Sequence, residues 1–252
     1  MESDIIKVNS ASIDYYLFYL YSSSITSCSQ QQQDRDKIYL FNVSFYRKLF
    51  DLFDNELNDQ TIIDTTCSIW AKSINWFNDG GFLVIPVCQD YHWLLVIISL
   101  FNRSPNHPCI LVFDFSSKRC GKSFILPIRK FLDNILSKHT QCNLNLNGQS
   151  NHDYDDVHEV VDDEDGGQRR DFSNHHNQSI PEYTAKVRRR SVPRNCAGIY
   201  LLCTFERFLA QPVDIVYKVC TKYDFSKQRS FFDTNVMLDK LRRLVKVSNR
   251  LK

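Results

Sequence analysis

Phe82-Leu83-Val84-Ile85-Pro86-Val87, then His92-Trp93-Leu94-Leu95-Val96-Ile97-Ile98-Ser99-Leu100, then Ile110-Leu111-Val112-Phe113-Asp114-Phe115, is the stretch that decides the fold. Each run is short, rich in β-branched and aromatic residues, and bounded by turn-forming residues, which predicts strands over Phe82–Val87, Trp93–Leu100 and Ile110–Phe115. The runs are apolar almost throughout, as in a buried sheet. Pro86 falls near the end of the first, where a missing amide donor is tolerated. Asn102 to Pro108, with two prolines, reads as the loop between the second and third.

Outward from this sheet the periodicity turns helical. Ser10 is the expected N-cap of a first helix, in which Ile13, Tyr16, Leu17 and Leu20 share a face. Ser22 to Gln33 is a polar connection, Phe41 to Phe53 a second helix, and Thr66 to Phe77 a mixed segment holding Trp70 and Trp76. Lys122 to Lys138 reads as a helix with Pro127 in its first turns, where proline does least harm. Ile199, Leu202, Cys203 and Leu209 support a helix over Cys196–Ala210, and Met237, Leu241, Leu244 and Val245 a last one. Strands without regular βαβ alternation, flanked by several helices, predict an α+β fold with a small central sheet.

From Gln141 to about Arg190 the composition changes. Eight acidic residues lie between Asp153 and Asp165, among Asn, Gln, His and Gly. Too little apolar area is available there to offset the entropy of ordering, so 141–190 is expected to be a disordered acidic insertion in a single domain spanning 1–252. Lys186, Arg188, Arg189, Arg190 and Arg194 close it, as a solvated charge run or a patch for nuclear import or an acidic partner.

Thirty-one basic against 29 acidic residues leave a net charge of +2, so no global field argues for nucleic acid or an anionic membrane. The longest apolar run, Trp93 to Phe101, is far short of the roughly 20 residues a membrane span needs, and Met1-Glu2-Ser3-Asp4 is no signal peptide. An intracellular, soluble protein is expected. Nine cysteines without a CxxC pair fit reduced thiols better than a disulfide framework. Cys142, His152 and His158 lack the spacing of metal ligands, so neither metal nor cofactor is expected.

Three residues could carry chemistry. His92 starts a strand, Asp114 lies near the end of the next, and Cys196 precedes a small-residue turn that opens a helix. A thiol at a helix N-terminus meets unpaired amide donors and the positive end of the dipole, which favours thiolate. A histidine on a nearby strand can take its proton, and an aspartate beside it can hold the imidazole tautomer. Each of these residues also has an ordinary structural reading, and only their surroundings bind them into one site.

Those surroundings resemble the Ulp/SENP-type SUMO-specific cysteine proteases, in the loop-inserted branch that edits SUMO chains. Val8-Asn9-Ser10-Ala11-Ser12-Ile13-Asp14-Tyr15-Tyr16-Leu17 is similar to the family's opening Leu-Asn-Asp segment and following helix. Phe82 to Val87 with His92-Trp93 matches its strand, short loop and His-Trp pair. Pro108 to Ser116 resembles the strand bearing its aspartate, and Gly198-Ile199-Tyr200-Leu201-Leu202 the helix after its nucleophile. The resemblance implies a papain-like fold of the Ulp type. It also implies a catalytic set of His92, Asp114 and Cys196, and Trp93 as a wall of the tunnel for the SUMO Gly-Gly tail. SUMO and SUMO-conjugated proteins would be the partners, with no nucleic acid or membrane, a monomeric state and a nuclear location.

The nucleophile region departs from that pattern. The family has a glutamine upstream, as oxyanion donor, and then Asp-Cys-Gly. Val192-Pro193-Arg194-Asn195-Cys196-Ala197-Gly198 lacks the glutamine and is shortened. Aligned backwards from Gly198-Ile199-Tyr200, Ala197 takes the nucleophile's place; aligned on the thiol, Ala197 is an insertion. Lys7 replaces an aromatic and Ser10 an acidic residue, and the chain is expected to start inside the domain. Three readings follow: a deSUMOylating isopeptidase acting also on poly-SUMO chains, a catalytically impaired SUMO-binding pseudoprotease, or a processor of another ubiquitin-like protein.

Overall fold

β3, His92–Ser99, runs through the middle of a five-stranded sheet of order β1-β2-β3-β4-β5, with β1 Ile38–Leu40, β2 Phe82–Gln89, β4 Cys109–Asp114 and β5 Glu182–Thr184. The computed structural model describes residues 9–26, 38–54, 59–72, 81–89, 92–100, 108–115, 122–147, 180–185, 187, 197–225, 235–240 and 242. The two inner pairings are antiparallel and the two outer ones parallel.

The strand residues alternate between two cores. Trp93, Leu95, Ile97, Leu111 and Phe113 pack under α1 (Ser10–Thr26), α5 (Ala197–Ala210) and α6 (Pro212–Cys220). Leu94, Val96, Ile98, Ile110 and Val112 pack under α2 (Val43–Asp54), α3 (Gln60–Lys72) and α4 (Leu126–Asn147). Helices on both sides explain why the strands are apolar at successive positions. The α+β architecture, a small sheet flanked by helices, is the expected one.

Pro86 lies inside β2, which continues past it to Gln89. The Leu100 amide donates to the Gly81 carbonyl at 3.0 Å, which sets the phase of the ladder. Counting from there, Pro86 opposite Leu95 is a non-bonded position toward β3, so its nitrogen points to the β1 side. The β1 register stops at Val84, and no ladder bond is lost at Pro86.

Several helix limits differ from the sequence reading. The α1 cap is Asn9, whose Oδ1 accepts the Ser12 amide at 2.8 Å, so Ser10 is already helical. Asn42 caps α2 in the same way through the Phe45 amide, at 2.9 Å. Asp59 caps α3 through the Thr61 amide, also at 2.9 Å. The segment read as mixed from Thr66 is the second half of α3, and 73–77 lie outside the described residues. The Cys196–Ala210 helix begins, among the described residues, at Ala197.

Toward both its ends the stretch 141–190, expected to be disordered, contains ordered residues. α4 runs on to Asn147, because nothing between Pro127 and Gly148 breaks a helix and extending one costs less than starting it. At the other end Glu182–Thr184 pairs with β4, Ile110 opposite Glu182. Arg129 of α4 donates to the Ile180 carbonyl at 3.0 Å and pairs with Glu182 at 2.9 Å. The pairing comes from the neighbouring strand and helix, and a local composition carries no trace of it. The acidic residues 153–165 and the basic residues 186, 188–190 and 194 lie outside the described residues.

β1 and α6 were not anticipated. α6 starts on Pro212, which suits a first helical turn. Of the expected last helix, 235–240 is helical with Met237 buried, and Lys240 pairs with Glu206 of α5. Leu241, Leu244 and Val245 lie outside the described residues.

Candidate active site

His92 is the first residue of β3 and half-buried; Asp114 is the last residue of β4 and only 5% exposed. Leu94 stands opposite Asp114 in the register, so His92, two residues back, shares the face of Asp114 and lies diagonal to it. The Phe115 amide donates to the Trp93 carbonyl at 3.2 Å. That bond makes 94/114 a narrow, non-bonded pair, and diagonal neighbours there lie about 7–8 Å apart by Cα, within reach of long side chains. The two residues the sequence singled out are thus neighbours at one end of the sheet. A carboxylate so placed can fix the tautomer of an imidazole and stabilise its cation.

Trp93 points to the opposite face, toward α5. It is 6% exposed, so most of its indole is used in packing. A Cβ on Gly198 would lie 3.6 Å from both the Cε2 and Nε1 of Trp93 and 3.1 Å from the Cδ1 of Ile13. The first turn of α5 therefore sits directly on the indole, and a methyl at position 198 would fit against it only with a small shift of the Ile13 side chain. Ala197, the first described residue of α5, is also buried, at 4% exposed. Cys196 lies outside the described residues. In chain order it directly precedes Ala197, at the end of α5 that meets Trp93.

Sequence reading missed the polar neighbours of His92 on its other side. Gln89 is its direct partner across the β2–β3 hairpin, and its Oε1 accepts the Tyr46 hydroxyl at 3.3 Å. A cavity of about 380 Å³ opens there, lined by Tyr46, Arg47, Phe50, Asp51, Cys88 and Gln89. Only the hairpin spacing, Gln89-Asp90-Tyr91-His92, hinted at the pairing. Among the described residues no group of three or more His, Cys, Asp or Glu could hold a metal ion. His152 and His158 lie outside the described residues, as does the side chain of Cys142. No described helix is long and apolar enough to cross a membrane.

A family model, the C-terminal catalytic domain of the Ulp1 protease family, matches residues 7–167, more than half of the chain. The chain belongs to the Ulp1 protease family. The matched span contains His92, Trp93 and Asp114 and ends before position 196. Ubiquitin-like-specific protease 1D of Arabidopsis thaliana is 28% identical over 121 residues, 48% of this chain and 20% of that protein. The probable ubiquitin-like-specific protease 2B of the same plant is 28% identical over 123 residues, 42% of this chain and 12% of that protein. The chain thus spans a fifth or less of either relative. A solved structure, described as the crystal structure of the de-sumoylating protease, superposes with a TM-score of 0.59. It covers 97% of this chain and 82% of its own at 19% identity, a likeness of fold. The Ulp1-family domain therefore has its histidine and aspartate strands in register and its helix start against the tryptophan that follows the histidine.

Proposed function

We propose that this chain is the protease domain of a deSUMOylating cysteine isopeptidase, which hydrolyses the bond after the Gly-Gly tail of SUMO in conjugates and poly-SUMO chains. The observation that supports the reading is the diagonal placement of His92 and Asp114 at the same end of the sheet where the start of α5 packs on Trp93. In this reading His92 takes the proton of the Cys196 thiol, and the thiolate attacks the glycyl carbonyl. The protonated imidazole then gives that proton to the departing lysine amine. His92 next activates a water that hydrolyses the thioester, while Asp114 holds the imidazole throughout. The exposed edge of Trp93 borders the diglycine and excludes larger side chains. The domain would act as a monomer on SUMO conjugates in the nucleus, without nucleic acid.

Gly198 favours a second reading. It packs on Trp93, and aligned as the glycine of the family's Asp-Cys-Gly it puts Ala197 in the place of the nucleophile. With alanine in the nucleophile's place and no upstream glutamine, the domain would bind SUMO without cleaving it. Loss of one oxyanion donor alone costs about 10²–10³ in turnover.

A SUMO carrying a C-terminal vinyl sulfone separates the two. An adduct mapped to Cys196, lost in Cys196→Ala, is the expected result. Saturable SUMO binding without an adduct would establish the pseudoprotease, and neither binding nor adduct would remove SUMO as the partner.

A further inference from the structure

Away from the candidate site, two thiols meet inside the first core. Cys109 Sγ, on the first residue of β4, lies 3.9 Å from Cys220 Sγ, on the last residue of α6. The two are 111 positions apart in the chain, so only the fold brings them together. Cys109 is 2% exposed, whereas Cys220 is half-buried. Both are free thiols, already in van der Waals contact, and a disulfide needs its sulfurs about 2 Å closer. Cys220 is placed to give that distance. It ends a helix whose last turn is closed by the Thr221 amide on the Tyr217 carbonyl at 2.9 Å, with Lys222 in the left-handed region at φ 57°. Helix ends of this kind shift more easily than strand centres.

We propose that Cys109 and Cys220 are an oxidation site that closes to an intrachain disulfide, with a peroxide as oxidant. Cys220, the more accessible thiol, reacts first. With peroxide its thiolate attacks the O–O bond and becomes a sulfenic acid. The Cys109 sulfur then attacks the Cys220 sulfur, the S–O bond breaks, and the hydroxyl leaves with the Cys109 proton as water. Two thiols are oxidised and one peroxide is reduced to two waters. Burial pushes both thiols up from the usual thiol range, Cys109 further because Cys220 lies beside it, so the uncatalysed step is slow at neutral pH. The link would staple α6 to the sheet on the Trp93 face and close a very long loop, the case in which a cross-link restricts the unfolded chain most.

The test uses the full chain, reduced and then exposed to limiting hydrogen peroxide, with non-reducing peptide mapping and thermal unfolding. A cross-linked pair of peptides holding Cys109 and Cys220, lighter by two hydrogens, is expected. So is a Tm roughly 5–15 °C above that of the reduced chain. Both should be absent in Cys220→Ser, whose half-buried position leaves the reduced fold intact. Sulfinic acid at Cys220 with Cys109 still free for alkylation after denaturation would overturn the proposal, as would pairing of either cysteine with another partner. Neither readout depends on SUMO cleavage, so the outcome is independent of the function proposed above.

Discussion

Under α1, α5 and α6 the sheet presents its own rings: Phe82 meets Phe208 edge-on at 5.1 Å, and Phe113 lies 5.9 Å from Phe225. Under α2, α3 and α4 the three central strands offer aliphatic side chains, and rings of the helices pack on one another, with Phe45 5.6 Å from Phe131 and 5.1 Å from Trp70. The candidate site does not belong to either face alone. Trp93 and the start of α5 lie on the first, His92 and Asp114 on the second. In the proposed mechanism a sulfur at position 196 would have to reach the imidazole around the end of the sheet, so that chemistry would need both layers in place.

The largest effect should come from the pair that shares the second face. His92→Ala is expected to lower cleavage of a SUMO-tail substrate by at least about 10⁴-fold while leaving the urea midpoint close to that of the parent, because His92 is half-buried at a strand end. Loss of folding along with activity would turn His92 into a packing residue. The two cores can be compared next. Phe208→Ala and Phe131→Ala should each cost about 3–5 kcal/mol in urea unfolding, because each removes a fully buried ring. Both variants should unfold in one transition, since the faces share one sheet. In variants that keep a single tryptophan, Trp93 or Trp70 reports one face by fluorescence, and transitions at different urea concentrations would show that the layers unfold separately.

The same contrast explains how much could be read from the sequence. β2, β3 and β4 were legible because strands buried on both faces must be apolar at successive positions. That His92 starts one strand and Asp114 lies near the end of the next was legible too, whereas their diagonal register comes from the structure. β1 and β5 were not legible. Ile38–Leu40 and Glu182–Thr184 are three residues each, and their pairing is supplied by β2 and β4 rather than by their own patterns. Asn9 escaped as a cap because Ser10 is an equally good one by type; only the Oδ1 contact to Ser12 decides. Gln89 carried no signal beyond its distance from His92.

Gly198 sharpens the comparison at the point where the first face reaches the site. Gly198→Ala puts a methyl 3.1 Å from the end of the flexible Ile13 side chain, which can give way, so a cost below about 1 kcal/mol is expected. Gly198→Val adds branches toward the rigid indole and should cost about 1–3 kcal/mol, with a fall in SUMO-probe binding beyond what unfolding explains. Equal tolerance of alanine and valine in thermal unfolding would mean that α5 does not rest on Trp93.

The smallest effect concerns the polar tie between the layers. Asp14 of α1, whose neighbours Ile13 and Leu17 belong to the first core, accepts the amide of Val43 at the start of α2 at 2.7 Å. Burial raises its carboxyl above the ordinary 3.8, against the lowering effect of that hydrogen bond. The folded state then keeps the proton to higher pH than the unfolded chain does. In the interval just above 3.8 the folded state binds more protons, so stability falls as pH rises and levels off once the group is ionised in both states. Asp14→Asn keeps an oxygen for the Val43 amide and removes the charge. Urea midpoints at successive pH values should lose that slope. At neutral pH the gain should stay below about 0.5 kcal/mol, because solvent screens a half-buried group. If the slope persists in the asparagine variant, the charge on Asp14 is not what strains the tie, and the hydrogen bond to Val43 joins the two layers without an electrostatic cost.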